Sequence, residues 1–577
     1  MMKLPKAYQI LERKEKSRFN TIIFLNVLNF LIELSCLLSI PIFTSILLKQ
    51  ENVLEKISNF FPLFIMENIV FYAALTVIIL FLLKNLFILF LTLVQNTYLK
   101  NLKIKLSTYL FENYLFSSYE SHANEDPASV SRNVSTIIQE FSNYLTHMIN
   151  LSREISVIVM IFLVLIYLNP LTITLIILFL STCTIIYFKK IKPKIKIRSE
   201  ENQKLNKKFT QMVYESFGAI QDLKIFQKEK DIFHIFKNRM KIFEQNLLFF
   251  LFFEKFPRLI LEIASITFIL FVSIFVFSYD RNLDNVLPVL ALIIISVIRL
   301  LPAFTSLNNS MYYMRILKPS VDILSDEISK VKEKLKKDEE HLQKKETDKK
   351  DFDLKKGLIT LEDVSFNYSN NSKIIPLKNI NMQIESGDIV GLTGKTGSGK
   401  TTLMNLILGL LQPSSGNIFY KDNNIKNINK EYKKKISFVS QNIFLFDDTI
   451  EKNITFNFKD NFVDKDKIQE AIEVSNLSEK IMQLPEGLKT KVGNDGIMLS
   501  GGEKQRIAIA RAIYKDSDIL FLDEFTSAID QKTEKSIIQK IQNNYKNKIL
   551  IIIAHRSSTL SMCKNIWHLE DGKIKKL

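Results

Sequence analysis

Long apolar stretches dominate the first half of the chain, whereas short alternating segments dominate the second half. Six stretches before residue 306 hold the roughly 20 apolar residues that a helix needs to cross a bilayer. They lie near 20–48, 69–94, 148–168, 171–188, 256–277 and 287–305. The first stretch is too long for a cleaved signal peptide and lacks a small-residue cleavage site. The pattern predicts an all-α membrane domain of six helices over residues 1–325.

Positive charge predicts the orientation of these helices. Basic residues cluster before the first span, as in Lys14 and Arg18, and after the fourth span, as in Lys189 and Lys190. Loops on the cytoplasmic side carry an excess of lysine and arginine. Both termini are therefore expected in the cytoplasm, and the membrane is the inner membrane if the host is bacterial. The net charge of +17 then needs no nucleic-acid partner.

The two cytoplasmic connections, 95–147 and 189–255, are long and contain almost no glycine or proline. They are predicted to be helices that extend the spans into the cytoplasm. Each is predicted to reverse at a short helix, near 119–130 and near 216–222. The mixed-charge run over 326–357 predicts the end of a helix that passes into a solvated linker to a second domain.

From residue 358 to 577 the pattern predicts an α/β domain. A strand over 388–393 runs into the string GKTGSGKT, which spans Gly394 to Thr401. Glycines allow backbone N–H groups to close around phosphate oxygens, and the helix that follows presents its positive end to the same anion. Lys400 is predicted to reach the β- and γ-phosphates, and the Thr401 hydroxyl to ligate Mg²⁺. The strand before the string and the helix after it weigh against a chance glycine-rich turn.

A buried strand is predicted over ILFLDE, residues 519–524, because apolar residues fill it up to two carboxylates. Asp523 is the predicted Mg²⁺ ligand, and Glu524 is the predicted general base for the attacking water. Two solvent-exposed acids at the end of a strand are the alternative interpretation, which a neighbouring phosphate loop makes a poor one.

The string LSGGEKQR, residues 499–506, opens a further predicted helix at Ser500. With this string in place, the C-terminal half resembles the ATP-binding cassette (ABC) family. The resemblance implies that Tyr368 stacks on adenine and that Gln441 contacts Mg²⁺ and the attacking water. It also implies that His555 senses the γ-phosphate and that the loop ending at Asp530 crosses a dimer seam.

ATP and Mg²⁺ are thus the expected cofactors, with Glu524, Gln441 and His555 in catalysis and Thr401, Gln441 and Asp523 around the metal. The predicted ATP-binding residues are Tyr368, Gly394, Lys395, Thr396, Gly397, Ser398, Gly399, Lys400, Thr401, Thr402, Ser500, Gly501, Gly502 and Asp530. In the family, the signature helix of one cassette closes over ATP held by another cassette. Because this chain has one cassette, the resemblance implies a dimer, most simply a homodimer, although a partner with degenerate motifs stays possible.

Six spans followed by a cassette resemble an exporter-type ABC half-transporter, and the two cytoplasmic reversals resemble its coupling helices. Ionisable residues at membrane depth are functional candidates because hydrocarbon disfavours charge. Three basic residues fall in the inner half of the membrane: Lys84, Arg258 and Arg299. If they face the cavity, they suit a phosphate or pyrophosphate headgroup. Snorkelling to the interface and intramembrane pairing, for example Arg258 with Glu262, are the alternatives.

The strings FLIELSCLLSIPIF, FPRLILE and VIRLLPAF resemble those of bacterial lipid-linked oligosaccharide flippases of this family. The segment 52–61 resembles the short amphipathic outer helix of those flippases. The expected substrate is therefore a polyprenyl-pyrophosphate glycan that moves from the inner to the outer leaflet. A multidrug or lipid A-like exporter is the alternative, and a peptide exporter or a non-transporting ATP-gated regulator is a weaker one. An intact Glu524 argues against the regulator.

Overall fold

The computed structural model describes most of the chain. The described residues are 6–48, 68–123, 126–168, 193–194, 197–198, 200–202, 204–206, 208–209, 211–279, 283–344, 358–368, 377–459, 463–493, 496–554 and 556–577. The predicted fourth span, the segment 52–61, His555 and the side chain of Arg258 lie outside them. The chain divides into two compact units, Met1–Ser117 with Asn124–Glu346, and Ser118–Ala123 with Thr347–Leu577.

The described residues before residue 345 are mainly helical. Their bounds are Lys6–Ile10 (α1), Arg13–Leu47 (α2), Ile69–Leu115 (α3), Tyr119–Ala123 (α4), Pro127–Arg132 (α5), Ile138–Leu168 (α6), Ile220–Ile225 (α7), Glu229–Tyr279 (α8) and Leu283–Lys344 (α9). One π-helical turn, Asn133–Ile137, joins α5 to α6. The helix α3 contains no glycine and extends over 47 residues, which is far longer than a bilayer requires.

Three stretches within the described residues are long and apolar enough to cross a membrane: Arg13–Leu47, Ile69–Leu115 and Pro127–Leu163. They overlap the first three predicted spans. The fifth and sixth predicted spans fall within α8 and α9, where the backbone is helical. Most side chains of those two spans lie outside the described residues.

Two features differ from the sequence expectation. The second reversal lies later than predicted, because residues 211–218 are still helical and α7 starts at Ile220. The helix end predicted at the start of the 326–357 run extends to Lys344, because lysine and glutamate are good helix formers. At the first reversal, Asp126 caps α5 by accepting a hydrogen bond from the Ala128 amide at 3.2 Å. Pro127 fits there because the first turn of a helix needs no N–H donor.

The C-terminal domain contains two sheets and several helices. Its strands are Ile359–Phe366 (β1), Leu377–Ile384 (β2), Ile389–Gly394 (β3), Ser415–Tyr420 (β4), Asn423–Asn424 (β5), Ile436–Val439 (β6), Ile519–Asp523 (β7), Ile549–Ile553 (β8), Asn565–Glu570 (β9) and Lys573–Lys576 (β10). Its helices are Lys400–Ile407 (α10), Asn429–Lys434 (α11), Ile450–Thr455 (α12), Lys465–Val474 (α13), Ser478–Gln483 (α14), Gly501–Tyr514 (α15), Gln531–Asn544 (α16) and Ser557–Leu560 (α17), with a 3₁₀ turn at Gly487–Lys489.

The larger sheet has the order β10-β9-β3-β8-β7-β6, and all its neighbouring pairs are parallel except β10 with β9. Alternate residues of β7 belong to different cores: Phe521 packs with α10, whereas Leu520 and Leu522 pack with α15 and α16. A strand buried on both faces is apolar throughout, as ILFL is. The smaller sheet is antiparallel, in the order β2-β1-β4-β5. The parallel strands therefore deliver their C-terminal ends to one edge, where ligands of open α/β sheets bind.

Candidate active site

The phosphate loop occupies the turn between β3 and α10. Gly399 caps α10 with a φ of +102°, and Gly394 at the end of β3 has a φ of +146°. A Cβ on Gly394 would lie 2.3 Å from the Leu569 carbonyl oxygen, which only glycine avoids. The predicted loop is thus confirmed as a strand-turn-helix whose N-terminus suits an anion.

Lys400 lies inside this turn. Its ammonium donates to the carbonyl oxygens of Gly394 at 2.6 Å and Lys395 at 3.1 Å. Partial burial lowers the pKa of Lys400, while the carboxylates of Glu524 and Asp523 act in the opposite direction. Because β3 and β7 both pair in parallel with β8, the end of β7 and the phosphate loop lie at the same edge of the sheet.

Asp523 and Glu524 lie where the sequence predicts them, at the end of β7, but their backbone conformations differ. Asp523 is the last residue of β7 and is only 8% exposed. Glu524 leaves the strand with a φ of +46°, an uncommon conformation for a residue with a side chain. Its carboxylate accepts a hydrogen bond of 2.7 Å from the amide nitrogen of Gln441. The structure therefore brings together the two residues predicted to handle the attacking water.

The residues expected around Mg²⁺ have suitable chemistry. Thr401, Gln441 and Asp523 offer a hydroxyl, an amide and a carboxylate, and Mg²⁺ prefers such oxygen ligands. The Gln441 amide nitrogen points to Glu524, so the amide oxygen is the atom of Gln441 that can ligate a cation. These residues fit the metal, which when bound neutralises charge on the phosphates.

Tyr368 presents a ring to solvent, with 51% of the residue exposed. Its hydroxyl lies 2.9 Å from the Thr402 hydroxyl on α10, and its edge meets Phe366 at a centroid distance of 4.9 Å. The ring is therefore held beside the phosphate loop with a surface on which a base can stack.

The predicted signature helix is α15, with Ser500 as its N-cap. The Ser500 hydroxyl accepts from the Glu503 amide at 3.3 Å, and the Glu503 carboxylate accepts from the Ser500 amide at 2.7 Å. This reciprocal pair is a capping box, which the string SGGE could have revealed. Burial alone would raise the pKa of Glu503, but bonds from Lys480 and Ser500 outweigh it and lower the pKa.

The loop between β7 and α16 ends at Asp530, whose carboxylate caps α16 by accepting from the Thr533 amide at 3.0 Å. Gln505 of α15 holds the same loop: its amide nitrogen donates to the Ser527 hydroxyl at 2.7 Å, and its amide oxygen accepts from the Ala528 amide at 3.0 Å. Gln505 has no role that could be predicted from the sequence, because neither partner is near it in the sequence.

Two arginines at membrane depth form ion pairs. The Arg299 guanidinium makes two hydrogen bonds to the buried carboxylate of Glu33, at 2.9 and 2.6 Å. The Arg153 guanidinium likewise donates two hydrogen bonds to the Glu154 carboxylate, at 3.1 and 2.9 Å. Lys84 lies over the Phe81 ring at 4.9 Å. Arg299 therefore has the intramembrane pairing that was the alternative to a cavity-facing position, with a partner from α2.

Gly394 yields a prediction for the loop itself. Gly394→Ala should lower the melting temperature of the C-terminal domain, because its Cβ would approach the Leu569 carbonyl oxygen to 2.3 Å. Gly397→Ala is the matched control, since Gly397 also has a positive φ but no heavy atom within 4 Å of its Cβ. We expect about 1–3 kcal/mol for backbone strain in the control and a larger loss for Gly394→Ala, measured by thermal unfolding. Equal losses would contradict this account of the loop.

Comparison with known proteins agrees with this geometry. The family model "ABC transporter transmembrane region" matches residues 20–302, and the model "ABC transporter" matches residues 377–527. An ATP-dependent lipid A-core flippase of Ralstonia nicotianae is 37% identical over 227 residues, which are 39% of this chain and 38% of that protein. The chloroplastic ABC transporter B family member 29 of Arabidopsis thaliana is 41% identical over 222 residues, which are 38% of this chain and 35% of that protein. A bacterial Atm1-family ABC exporter solved with ATP bound has the same fold, with a TM-score of 0.70, 19% identity, and coverage of 97% of this chain and 95% of that one.

The two matched regions give the chain both kinds of domain that define an ABC transporter. The chain belongs to the ABC transporter family, as an exporter-type half-transporter with one membrane domain and one cassette. The predicted membership in the ABC family and the predicted fold class are thereby confirmed. The aligned regions span about 38% of the length of the flippase from Ralstonia nicotianae and 35% of the plant protein.

Proposed function

We propose that the protein is an ATP-driven exporter that works as a homodimer and moves a phosphorylated glycolipid from the inner to the outer leaflet. The observation that carries the ATP-driven part is the contact between Gln441 and Glu524 at the edge where Lys400 and Asp523 also lie. A transporter that only bound ATP would have no need of a carboxylate poised beside the phosphate loop.

Each residue of the ATP site has a separate role in hydrolysis. The phosphate loop and Lys400 hold the anion, and Tyr368 offers its face to the base. Glu524 accepts the proton of the attacking water, and Gln441 orients that water through its bond to Glu524. Thr401 and Asp523 would hold the Mg²⁺ that neutralises charge on the phosphates.

The dimer follows from the signature helix. Ser500, Gly501 and Gly502 open α15 and present backbone N–H groups suited to an anion. One chain supplies one such helix and one phosphate loop. Two chains can complete two sites if each signature helix closes on the partner's ATP, as the family resemblance implies.

A phosphorylated lipid is the substrate class best supported. Several similar proteins are lipid A-core flippases, including the one from Ralstonia nicotianae and one from Photorhabdus laumondii that is 40% identical over 237 residues. Basic residues at membrane depth suit a phosphate headgroup. The flippase-like strings around α2, α8 and α9 favour a polyprenyl-pyrophosphate glycan as the second candidate. Both substrates combine an apolar chain with phosphate.

The expected result is that ATPase activity in nanodiscs responds to a lipid A-core glycolipid or to a polyprenyl-pyrophosphate oligosaccharide, but not to a neutral glycolipid. Lys84→Ala should weaken that response and leave basal activity unchanged, because Lys84 lies over the Phe81 ring and forms no ion pair with another described residue. The measurement is the ATPase rate as a function of lipid concentration for both proteins. Leaflet transfer of a fluorescent form of the responding lipid then tests transport.

The ion pair of Glu33 with Arg299 decides how arginine variants must be designed. Arg299→Gln alone strands a buried carboxylate, so it perturbs folding as well as binding. The double variant Glu33→Gln with Arg299→Gln removes both charges and is the proper test of Arg299. Stimulation by apolar drugs, with no response to either phosphorylated lipid, would refute the glycolipid assignment in favour of a multidrug exporter.

A further inference from the structure

A buried carboxylate with no predicted role lies beside the residues predicted to hydrolyse ATP. Glu534 belongs to the first turn of α16 and is 2% exposed. It begins the buried stripe of this helix, which continues with Ile537, Ile538 and Ile541. Because a buried carboxylate is costly unless it is hydrogen-bonded, its partners should explain why the stripe does not begin with an apolar residue.

Both oxygens of Glu534 are occupied, and the partners come from two different loops. Oε1 accepts from the Thr526 hydroxyl at 3.1 Å and from the Thr559 hydroxyl at 2.9 Å. Oε2 accepts from Nη1 of Arg556 at 2.9 Å. Thr526 lies in the loop that follows β7 and Glu524. Arg556 and Thr559 lie in the segment that follows β8, and Arg556 is adjacent in sequence to His555.

Arg556 connects the same two loops a second time. Its Nη2 donates to the Ser527 carbonyl oxygen at 3.0 Å, while Nη1 holds Glu534. The Ser527 hydroxyl also accepts a hydrogen bond from Gln505 of the signature helix. A continuous set of hydrogen bonds thus runs from α15 through the loop after β7 to the segment next to His555.

We propose that Glu534 and Arg556 act as a pair of positioning residues for ATP hydrolysis. The pair holds the loop after β7 and the segment bearing His555 in one arrangement, and it joins both to the signature helix. The inference rests on the proposed function, in which each signature helix closes on the partner's ATP. The pair then lets one chain's contact with its partner's nucleotide influence the geometry of its own site. Packing alone would require no charge at position 534 and no second bond from Arg556.

The test compares Glu534→Gln, Arg556→Gln and the double variant in the full-length protein in nanodiscs. We expect each single change to lower kcat about 10- to 100-fold through misplaced catalytic groups, with little change in KM or in the affinity for a fluorescent ATP analogue. The dependence of rate on ATP concentration should also lose its cooperativity. The double variant should be no slower than the slower single variant, because residues that act as a unit are not additive.

Asp516→Asn is the control, since Asp516 is also paired with basic side chains, Lys548 at 2.7 Å and Lys467 at 3.3 Å, and neither lysine belongs to the loop after β7 or to the segment after β8. It should leave kcat unchanged. The double variant removes both charges of the pair and leaves no unpaired buried carboxylate, so it separates positioning from folding. A double variant that folds and hydrolyses ATP at the wild-type rate would overturn the proposal, and so would effects that multiply. If the wild-type protein itself fails to hydrolyse ATP, the proposed function fails instead.

Discussion

Glu524→Gln should abolish steady-state ATP hydrolysis while leaving ATP binding intact. The substituted amide can still accept the hydrogen bond from Gln441 that the carboxylate accepts at 2.7 Å, so the local geometry survives. What is lost is the capacity to take a proton from water. A general base contributes about 10²- to 10⁴-fold, and we expect kcat to fall by that amount. The measurement is phosphate release by purified protein, alongside binding of a fluorescent ATP analogue.

Glu570→Gln is the control for this experiment. Glu570 is an exposed carboxylate near the phosphate loop, 3.8 Å from the ammonium of Lys395, and its loss should leave kcat unchanged. If Glu524→Gln hydrolysed ATP within about tenfold of the wild-type rate, Glu524 would not be the general base. If it failed to bind ATP, the carboxylate would have a structural role instead.

The cassette site was predictable because phosphate chemistry restricts both residue type and spacing. Position 394 must be glycine because a Cβ there would clash with the Leu569 carbonyl oxygen. The string that contains Gly394 predicts a strand, a tight turn and a helix in that order. Asp523 and Glu524 were predictable for a similar reason, because a fully apolar strand that ends in two acidic residues is typical of a phosphate-handling site. These motifs are local, so one sequence is enough to recognise them.

The contacts that sequence reasoning missed join residues distant along the chain. Arg299 pairs with Glu33, 266 positions away, whereas the sequence offered only near neighbours as partners. Glu534 draws its partners from Thr526 and Arg556, on either side of it in the sequence. The acid at the head of an otherwise apolar stripe on α16 was the available clue. It shows that a buried charge exists, but only the fold shows what neutralises it.

The helical extensions were predictable in kind but not in extent. Lysine- and glutamate-rich sequence after residue 326 reads equally well as linker or helix, and α9 continues to Lys344. No strong turn residue fixes the second reversal, where Gly218 still belongs to the preceding helix. Helix ends that lack a specific cap are the least determined by local sequence.

Mixed dimers test whether the two halves of each ATP site come from different chains. Lys400→Ala removes the ammonium that lies within the phosphate loop. Gly501→Asp places a carboxylate at the start of α15, where it repels the phosphates of the ATP that the partner chain holds. A Cβ at position 501 lies 3.4 Å from the Cβ of Ala528, which the fold tolerates with small shifts. Each variant alone should lose hydrolysis about 10²-fold or more, as expected when a phosphate contact is lost or opposed.

A dimer of one Lys400→Ala chain and one Gly501→Asp chain should nevertheless regain activity. If the sites are shared, both defects fall in one site, and the other site combines the intact phosphate loop of one chain with the intact signature helix of its partner. Doubly tagged heterodimers, purified through both tags, should hydrolyse ATP at up to about half the wild-type rate, since one of two equivalent sites is whole. A heterodimer that carries both changes on the same chain is the control. In that arrangement each site has one defect, so it should be inactive. If instead the first heterodimer were inactive and the control were active, each chain would build its own complete site, and the proposed dimer would be wrong.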